Sequence, residues 1–305
     1  MKAKKKQNPA LSLEQGDLLP SLLLVPTIIV VLIVLIIPLV YGVYLSFFDY
    51  RVGVPVNSEN FVGVKNYSKM LHDPVFWQSL KNTVMFAVLA TVGDIVFGTL
   101  IAVLLLRINS ALGGILRAVF LIPLLVSPII IGLMWKYILD PSSGTVYWLL
   151  GLFDMGLKQF PGVTGASTAL ICVVIAHWWQ VVPFVMLVVT AGLLSINKDL
   201  YEAAYIDGAG EFRKFFSISL PSLKHVYMVI LVISGVDTVK VFDIVYSLTG
   251  GGPANSTISL SMLAYNEAFK SQNMGYAMAI SIATMFVIFI IFGIPFIRFG
   301  TQKDD

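Results

Sequence analysis

Asp237, Lys240 and Asp243 stand three residues apart inside an otherwise apolar stretch. Ionised side chains are costly in a hydrocarbon setting, so their presence there points to a polar path or to a cluster that neutralises itself. On one helix, this spacing lets Lys240 pair with Asp243 and places Asp237 on the same side. Such a triad could line a polar cavity, serve an ion-coupled carrier, or hold packed helices together. A second group, Trp178, Trp179, Gln180 and Phe184 around Pro183, offers flat rings and an amide. These types suit sugars, whose C–H faces stack on rings and whose hydroxyls need donors and acceptors. Phe242, between Lys240 and Asp243, joins this set as a possible path residue, although every ring in it could equally be helix packing.

Other chemistries are poorly supported. Cys172 is alone, so no internal disulfide can form. His72, His177 and His225 are too scattered to suggest a metal site. The chain has no G-x-x-x-x-G-K-[ST], the loop that would cradle nucleotide phosphates. Gly208-Ala209-Gly210 is no dinucleotide fingerprint, because Arg213 occupies the third glycine position and no strand precedes it. Asp94, flanked by Gly93 and Gly98, reads as a helix–helix contact.

The elements that must position these residues are set by composition. The 305 residues are 57% hydrophobic and 12% charged, against roughly a quarter charged in a soluble domain. Six apolar stretches reach the roughly 20 residues needed to cross a bilayer: Leu19–Ser46, Asn82–Leu106, Leu116–Ile138, Ser167–Ile196, Pro221–Leu248 and Met274–Ile297. The fold expected is an all-α integral membrane protein with six transmembrane helices. The first stretch is too long for a cleavable signal core of about 7–15 residues and reads as an uncleaved span. With the N-terminus inside, the inner segments hold Lys2, Lys4, Lys5, Lys6, Arg107, Arg117, Lys198, Arg213, Lys214, Lys224, Arg298 and Lys303. The outer segments hold only Arg51, Lys65, Lys69, Lys81, Lys158 and Lys270. The bias predicts N-in, C-in topology. It also accounts for the net charge of +3, which gives no reason to invoke nucleic acid. The expected divisions are a basic inner N-terminus over 1–18, a six-helix domain over 19–298 with an inner loop at 197–220, and an inner tail over 299–305. The outer loops are expected to carry, within Asp49–Lys81 and after a polar stretch, a short amphipathic helix rich in Phe, Trp and Tyr, and another short helix over Val146–Leu157.

One inner loop stands out. "YEAAYIDGAGEF", Tyr201 to Phe212, is polar and small where its surroundings are apolar. Asn197 is a good N-cap, Asp199 and Glu202 suit the positive end of a helix dipole, and Gly208 can supply a left-handed stop. A helix over about Lys198–Asp207 follows, with Ala203, Ala204, Gly208 and Ala209 allowing another surface close to its backbone. A second helical piece, Glu211–Ile218, carries Phe212, Phe215 and Phe216. The result is a knuckle shaped to be gripped, or else a linker lying along the bilayer surface.

"EAAYIDGAGEFRKFFSISLP", Glu202 to Pro221, resembles the E-A-A-x-x-x-G-(x)9-I-x-L-P signature of membrane subunits of bacterial binding-protein-dependent ABC importers. Glu202, Ala203, Ala204, Gly208, Ile218, Leu220 and Pro221 match it. "FVGVKNYSKML", "NTVMFAV", "YSLTGGGPANST" and "AFKSQNMGYAMAISI" extend the resemblance over most of the chain, toward the MalF-like permeases of the carbohydrate-uptake branch. Lys224-His225 departs from relatives that often carry a further proline there.

The resemblance implies the type I ABC importer (MetI-like) permease fold in a bacterial cytoplasmic (inner) membrane, and a transport subunit rather than an enzyme. It makes the 197–220 loop a coupling helix that docks on a cytoplasmic ATPase. Glu202 would be the charged contact, Ala203, Ala204 and Gly208 would give close fit, and Asp207, Ala209 and Phe212 would share the surface. The implied partners are a second, MalG-like permease subunit, two cytoplasmic ATP-binding subunits that use ATP and Mg, an extracytoplasmic solute-binding protein, and membrane lipid. No cofactor is expected on this chain. The cargo implied is a sugar or oligosaccharide; a polyol or glycerol-phosphate-type solute would suit the same architecture. An ion-coupled secondary carrier built on Asp237, Lys240 and Asp243 would leave the Glu202–Pro221 signature without a purpose.

Overall fold

The computed structural model describes residues 18–152 and 160–293. The basic N-terminus, the C-terminal tail, the last residues of the sixth expected span and the end of the expected Val146–Leu157 helix lie outside the described residues. Among the described residues the chain is helical, with isolated bridges at Phe48–Phe61 and Arg51–Asn273 and no strand.

In chain order the helices are α1 (Leu24–Leu45), α2 (Lys65–His72), α3 (Pro74–Leu106), α4 (Ala111–Leu125) and α5 (Pro128–Ile138). Next come α6 (Thr145–Leu152), α7 (Ala169–Ser195), α8 (Lys198–Ile206), α9 (Glu211–Ser222) and α10 (Lys224–Val239). The last are α11 (Asp243–Leu248), α12 (Leu260–Tyr265) and α13 (Met274–Gly293). Four of them, α1, α3, α7 and α13, are long and apolar enough to cross a membrane; α4–α5 and α9–α10 qualify only as bent pairs.

Three expectations about these elements are corrected. The second stretch begins at Pro74 rather than Asn82, because Asp73 accepts a hydrogen bond from the backbone N–H of Val75 at 2.8 Å and Pro74 occupies the first turn. Phe76 and Trp77 therefore belong to α3, and only Lys65–His72 forms the separate short helix. The third stretch is no single rod: α4 and α5 meet at 98°. Ser127 precedes Pro128, whose ring disfavours helical backbone in the residue before it, and both Val126 and Ser127 are extended. The fifth stretch is divided twice, by a 63° bend at Leu223 and by an unwound step at Lys240–Phe242.

Unwound backbone in an apolar surround must find partners for its carbonyls, and side chains supply them. Gln180 donates to the Val126 carbonyl at 3.2 Å, and Ser259 donates to that of Val241 at 2.8 Å.

The centre of the fold is the pair α3 and α7, with α10 laid against both. Two glycines permit the approach. A Cβ on Gly93 would fall 2.1 Å from the indole of Trp178, and one on Gly98 would fall 2.6 Å from Val185. Around this pair, α5 packs on α11, and α13 packs on α12 and α2. The loop segments quoted above for their resemblance are fixed by specific bonds. Asn82 donates to the carbonyls of Asn255 and Ile258 at 2.9 and 3.1 Å, tying α3 to the segment that follows the Gly250–Pro253 turn. Thr83 accepts from the backbone N–H of Leu260 at 2.9 Å. Asn66 donates to the carbonyls of Ser46 and Phe48, and the N–H of Gly275 reaches the Tyr50 carbonyl.

Candidate functional site

The knuckle forms as its residues dictate. Asn197 caps α8 by accepting from the backbone N–H of Asp199 at 3.0 Å. At the other end Gly208 takes φ +74°, and two bonds close the turn: Ala209 N–H to the Ala204 carbonyl at 2.9 Å, and Gly208 N–H to that of Tyr205 at 3.0 Å. The chain then re-enters helix at Glu211 and passes through a wider π-helical turn at Phe215–Ser219.

Few contacts tether the knuckle to its own chain. Tyr201 and Ser219 share a hydrogen bond between hydroxyls at 2.8 Å, fixing α8 to α9. Arg107, just past α3, pairs with Glu211 at 3.1 Å, and Lys214 pairs with the other Glu211 oxygen at 3.2 Å. These exposed pairs guide position more than they stabilise. Glu202, Ala203, Asp207, Gly208 and Phe212 are exposed, while Ala204 and Ala209 are half-buried. Ala204, Asp207, Ala209, Arg213, Lys214, Ser217 and Ile218 line an open cavity of about 160 Å³ under the turn.

Large apolar side chains dominate what the knuckle presents. Phe212 is 84% exposed and Ile206 83%, with Tyr205, Leu200 and Phe216 also open. Sequence reasoning chose Phe212 but passed over Ile206 and Tyr205. Their position at the end of α8, beside the glycine stop, was the signal that could have found them. Such a patch next to a small-residue turn is fitted to seat in another surface.

The residues expected along a path are placed unequally. Trp178 covers Gly93 and donates its indole N–H to the carbonyls of Leu89 and Ala90 at 3.2 and 3.1 Å. Its packing is thereby accounted for. Gln180 is engaged at the α4–α5 break, and Phe184 packs in the cluster around Val185, Met186 and Leu223. Trp179 is exposed, lying edge-on to Trp135 with ring centres 6.4 Å apart. Lys240 pairs with Asp237 at 2.9 Å rather than with Asp243, because the helix ends at Val239 and Asp243 starts a new one. Asp237, Lys240 and Asp243 are all exposed, and Phe242 is half-buried.

A polar cluster was missed. Asp94 on α3, fully buried, accepts from Ser234 on α10 at 2.8 Å and lies 3.1 Å from the His177 Nε2 of α7. Its second oxygen has no partner. The expectation that Asp94 marks a helix contact holds, but His177, set aside as scattered, is what it contacts. Eighty-three residues separate the two in the chain, so no local spacing reveals the pair.

Comparison with known proteins agrees with this architecture. Residues 94–297 match the family described as "Binding-protein-dependent transport system inner membrane component". The chain is 37% identical over 286 residues to the trehalose/maltose transport system permease protein MalF of Thermococcus litoralis, covering 93% of this chain and 94% of that protein. It is 33% identical over 292 residues to the sn-glycerol-3-phosphate transport system permease protein UgpA of Agrobacterium fabrum, covering 94% and 96%. In fold it resembles a chain of a bacterial alginate ABC transporter, solved with an alginate pentasaccharide-bound periplasmic protein, with a TM-score of 0.81, 22% identity and coverage of 97% and 99%. The chain belongs to the family of binding-protein-dependent transport system inner membrane components: it is an integral membrane permease subunit of an ABC importer, not an enzyme, and ATP hydrolysis is done by separate subunits.

Proposed function

We propose that this subunit forms half of the path for a sugar or oligosaccharide handed over by an extracytoplasmic binding protein. The exposed knuckle α8–α9 couples that path to ATPase subunits that use ATP and Mg. A second permease chain completes the path, and two ATPases lie below. The N- and C-termini and the knuckle face the cytoplasm, as the Lys and Arg bias favours.

The observation that carries this reading is the knuckle itself. A capped helix with a left-handed glycine stop offers Glu202, Ile206 and Phe212 to solvent at one end of an importer fold. Those apolar side chains have no use in water and every use in a docked cleft. Glu202, Ala203, Ala204, Asp207, Gly208, Ala209 and Phe212 form the coupling surface. The path draws on Trp179, Asp237, Lys240, Phe242 and Asp243, with Trp178, Gln180 and Phe184 shaping the wall behind. A carbohydrate cargo is supported by the relative whose name specifies trehalose and maltose. A glycerol-phosphate-type cargo is the second reading, favoured by the UgpA likeness.

The test is Glu202→Lys in the assembled importer in proteoliposomes. The expected outcome is loss of uptake and of binding-protein-stimulated ATPase activity, with helical content unchanged. Wild-type stimulation in the variant would remove the knuckle from the coupling role. Uptake of radiolabelled trehalose or maltose against glycerol 3-phosphate by the wild-type importer separates the two cargo readings.

A further inference from the structure

Four aromatic rings form one continuous surface where the fifth apolar stretch unwinds. Phe242 stacks on Tyr246 with ring centres 5.3 Å apart and planes at 26°. Tyr265, at the end of α12, meets Phe242 at 4.9 Å and Tyr246 at 5.6 Å, and Phe269 extends the row from Tyr265 at 5.1 Å. Tyr246 is 43% exposed and Phe269 64%. Only Phe242 of the four is recognisable as a path residue from the sequence, because Tyr246 lies on α11, Tyr265 ends α12 and Phe269 lies in the turn after it.

Charged residues flank these rings along the chain. The exposed ion pair Lys240–Asp237 lies just before them, Asp243 stands beside Phe242, and Glu267 and Lys270 sit on the same helical turn as Phe269. A face turned to lipid would not carry exposed Asp237, Lys240 and Asp243, so the rings border water. Asn266, next to Tyr265, keeps a buried side-chain oxygen without a hydrogen-bond partner. Tyr246 pushes the Tyr265 phenol above its ordinary range, chiefly through charge interaction between the phenols, so the Tyr265 hydroxyl stays a neutral donor at physiological pH. Helix α10 has 16 residues and separates this surface from the knuckle by about 24 Å. The rings therefore lie toward the end that receives cargo.

From this arrangement we infer that Phe242, Tyr246, Tyr265 and Phe269 are a stacking platform for the pyranose rings of a neutral saccharide entering the path. The inference rests on the carbohydrate reading above and specifies it. Apolar rings with phenol hydroxyls at their edges match a sugar, which is apolar on its C–H faces and polar at its rim. The three carboxylates of Asp237, Asp243 and Glu267 outnumber the two ammonium groups of Lys240 and Lys270, so the residues flanking the rings carry a net −1. That balance disfavours uronate, sulfonate and phosphate cargo and favours uncharged sugars.

The test uses the complete importer with its binding protein in proteoliposomes. Uptake of maltose, maltotriose, trehalose and glycerol 3-phosphate is measured alongside binding-protein-stimulated ATPase activity. Tyr246→Ala and Phe269→Ala should each lower the rate of saccharide uptake by about fivefold to tenfold, the effect of one lost ring contact, at unchanged ATPase stimulation. Tyr246→Phe and Phe269→Tyr, which keep a ring, should stay within about twofold of wild type by the same reasoning. Alanine variants that move saccharides at the wild-type rate would overturn the platform, as would variants that no longer purify with the second permease subunit, which would make the rings a subunit contact. Wild-type importer that moves only glycerol 3-phosphate would instead fell the carbohydrate reading, and the platform with it.

Discussion

Replacing Gly98 by alanine is the sharpest probe of the central helix pair. The added Cβ would stand 2.6 Å from Val185 Cγ1, 2.7 Å from Val185 Cβ and 3.1 Å from the backbone nitrogen of Met186. Carbon atoms in contact prefer about 3.5 Å or more. Relief of the Cβ–Cβ clash therefore needs α3 and α7 to separate by about 0.8 Å, the shortfall from that preferred contact. Val185 and Met186 are fully buried, so neither can swing aside. Overpacking of this kind costs about 1–3 kcal/mol. Alanine returns about 0.5–1 kcal/mol by stiffening the helix, so the net loss reaches about 2 kcal/mol. Gly114, on α4, provides the control because an added Cβ there meets nothing within 4 Å. Gly114→Ala should keep the gain without the clash, giving the opposite sign from a chemically identical change. The assay is reversible unfolding of the purified subunit in mixed detergent–dodecyl sulfate micelles, followed by circular dichroism. Val185→Gly removes both clashing Val185 atoms, so combining it with Gly98→Ala should cost less than the sum of the single changes. Equal stability of the Gly98 and Gly114 variants, or strict additivity with Val185→Gly, would refute the close-approach argument.

Two further outcomes are expected. Asp94→Ala leaves His177 and Ser234 without their shared acceptor and should cost about 2–4 kcal/mol in the same unfolding assay. Asp94→Asn keeps an acceptor oxygen for Ser234 and should cost less; equal losses would show that shape matters there and not the bonds. Gly208→Ala forces a Cβ into backbone at φ +74° with nothing within 4 Å to clash with it, so its cost is purely conformational, about 1–2 kcal/mol. Amide exchange across Lys198–Ile206 should quicken in that variant while exchange in α7 stays unchanged.

Local rules made part of this molecule legible. The knuckle was readable residue by residue because its cap, stop and small face depend on neighbours in the chain. The apolar stretches were readable by length, and four of the six appear as continuous helices. Hydropathy does not register where a long apolar run bends, so the breaks at Val126–Ser127 and Lys240–Phe242 were missed. Pro128 was visible in the sequence, but its consequence depended on Gln180 being near enough to satisfy the freed carbonyl. The Lys240–Asp243 pairing failed for the same reason: the spacing rule assumes an unbroken helix. Asp94–His177–Ser234 and the rings around Tyr265 join residues far apart in sequence, and only tertiary packing brings them together.

The contrast between α1 and the bent pairs bears on the order in which the chain can be built. The most apolar stretch of α1 has a mean hydropathy of 3.0, and only 6% of that stretch is buried against the rest of the fold. An unbroken helix satisfies most of its own backbone, so this segment can leave the translocon and settle in lipid before anything else has been synthesised. The α4–α5 and α9–α10 pairs, bent by 98° and 63°, differ. The carbonyl of Val126 is satisfied by Gln180, more than fifty residues downstream, so α4–α5 reaches its final shape only after α7 has emerged. Biogenesis of this subunit then runs from a free-standing first helix to late closure of its angular segments, and a nascent chain halted before Gln180 would hold an unfinished corner in the bilayer.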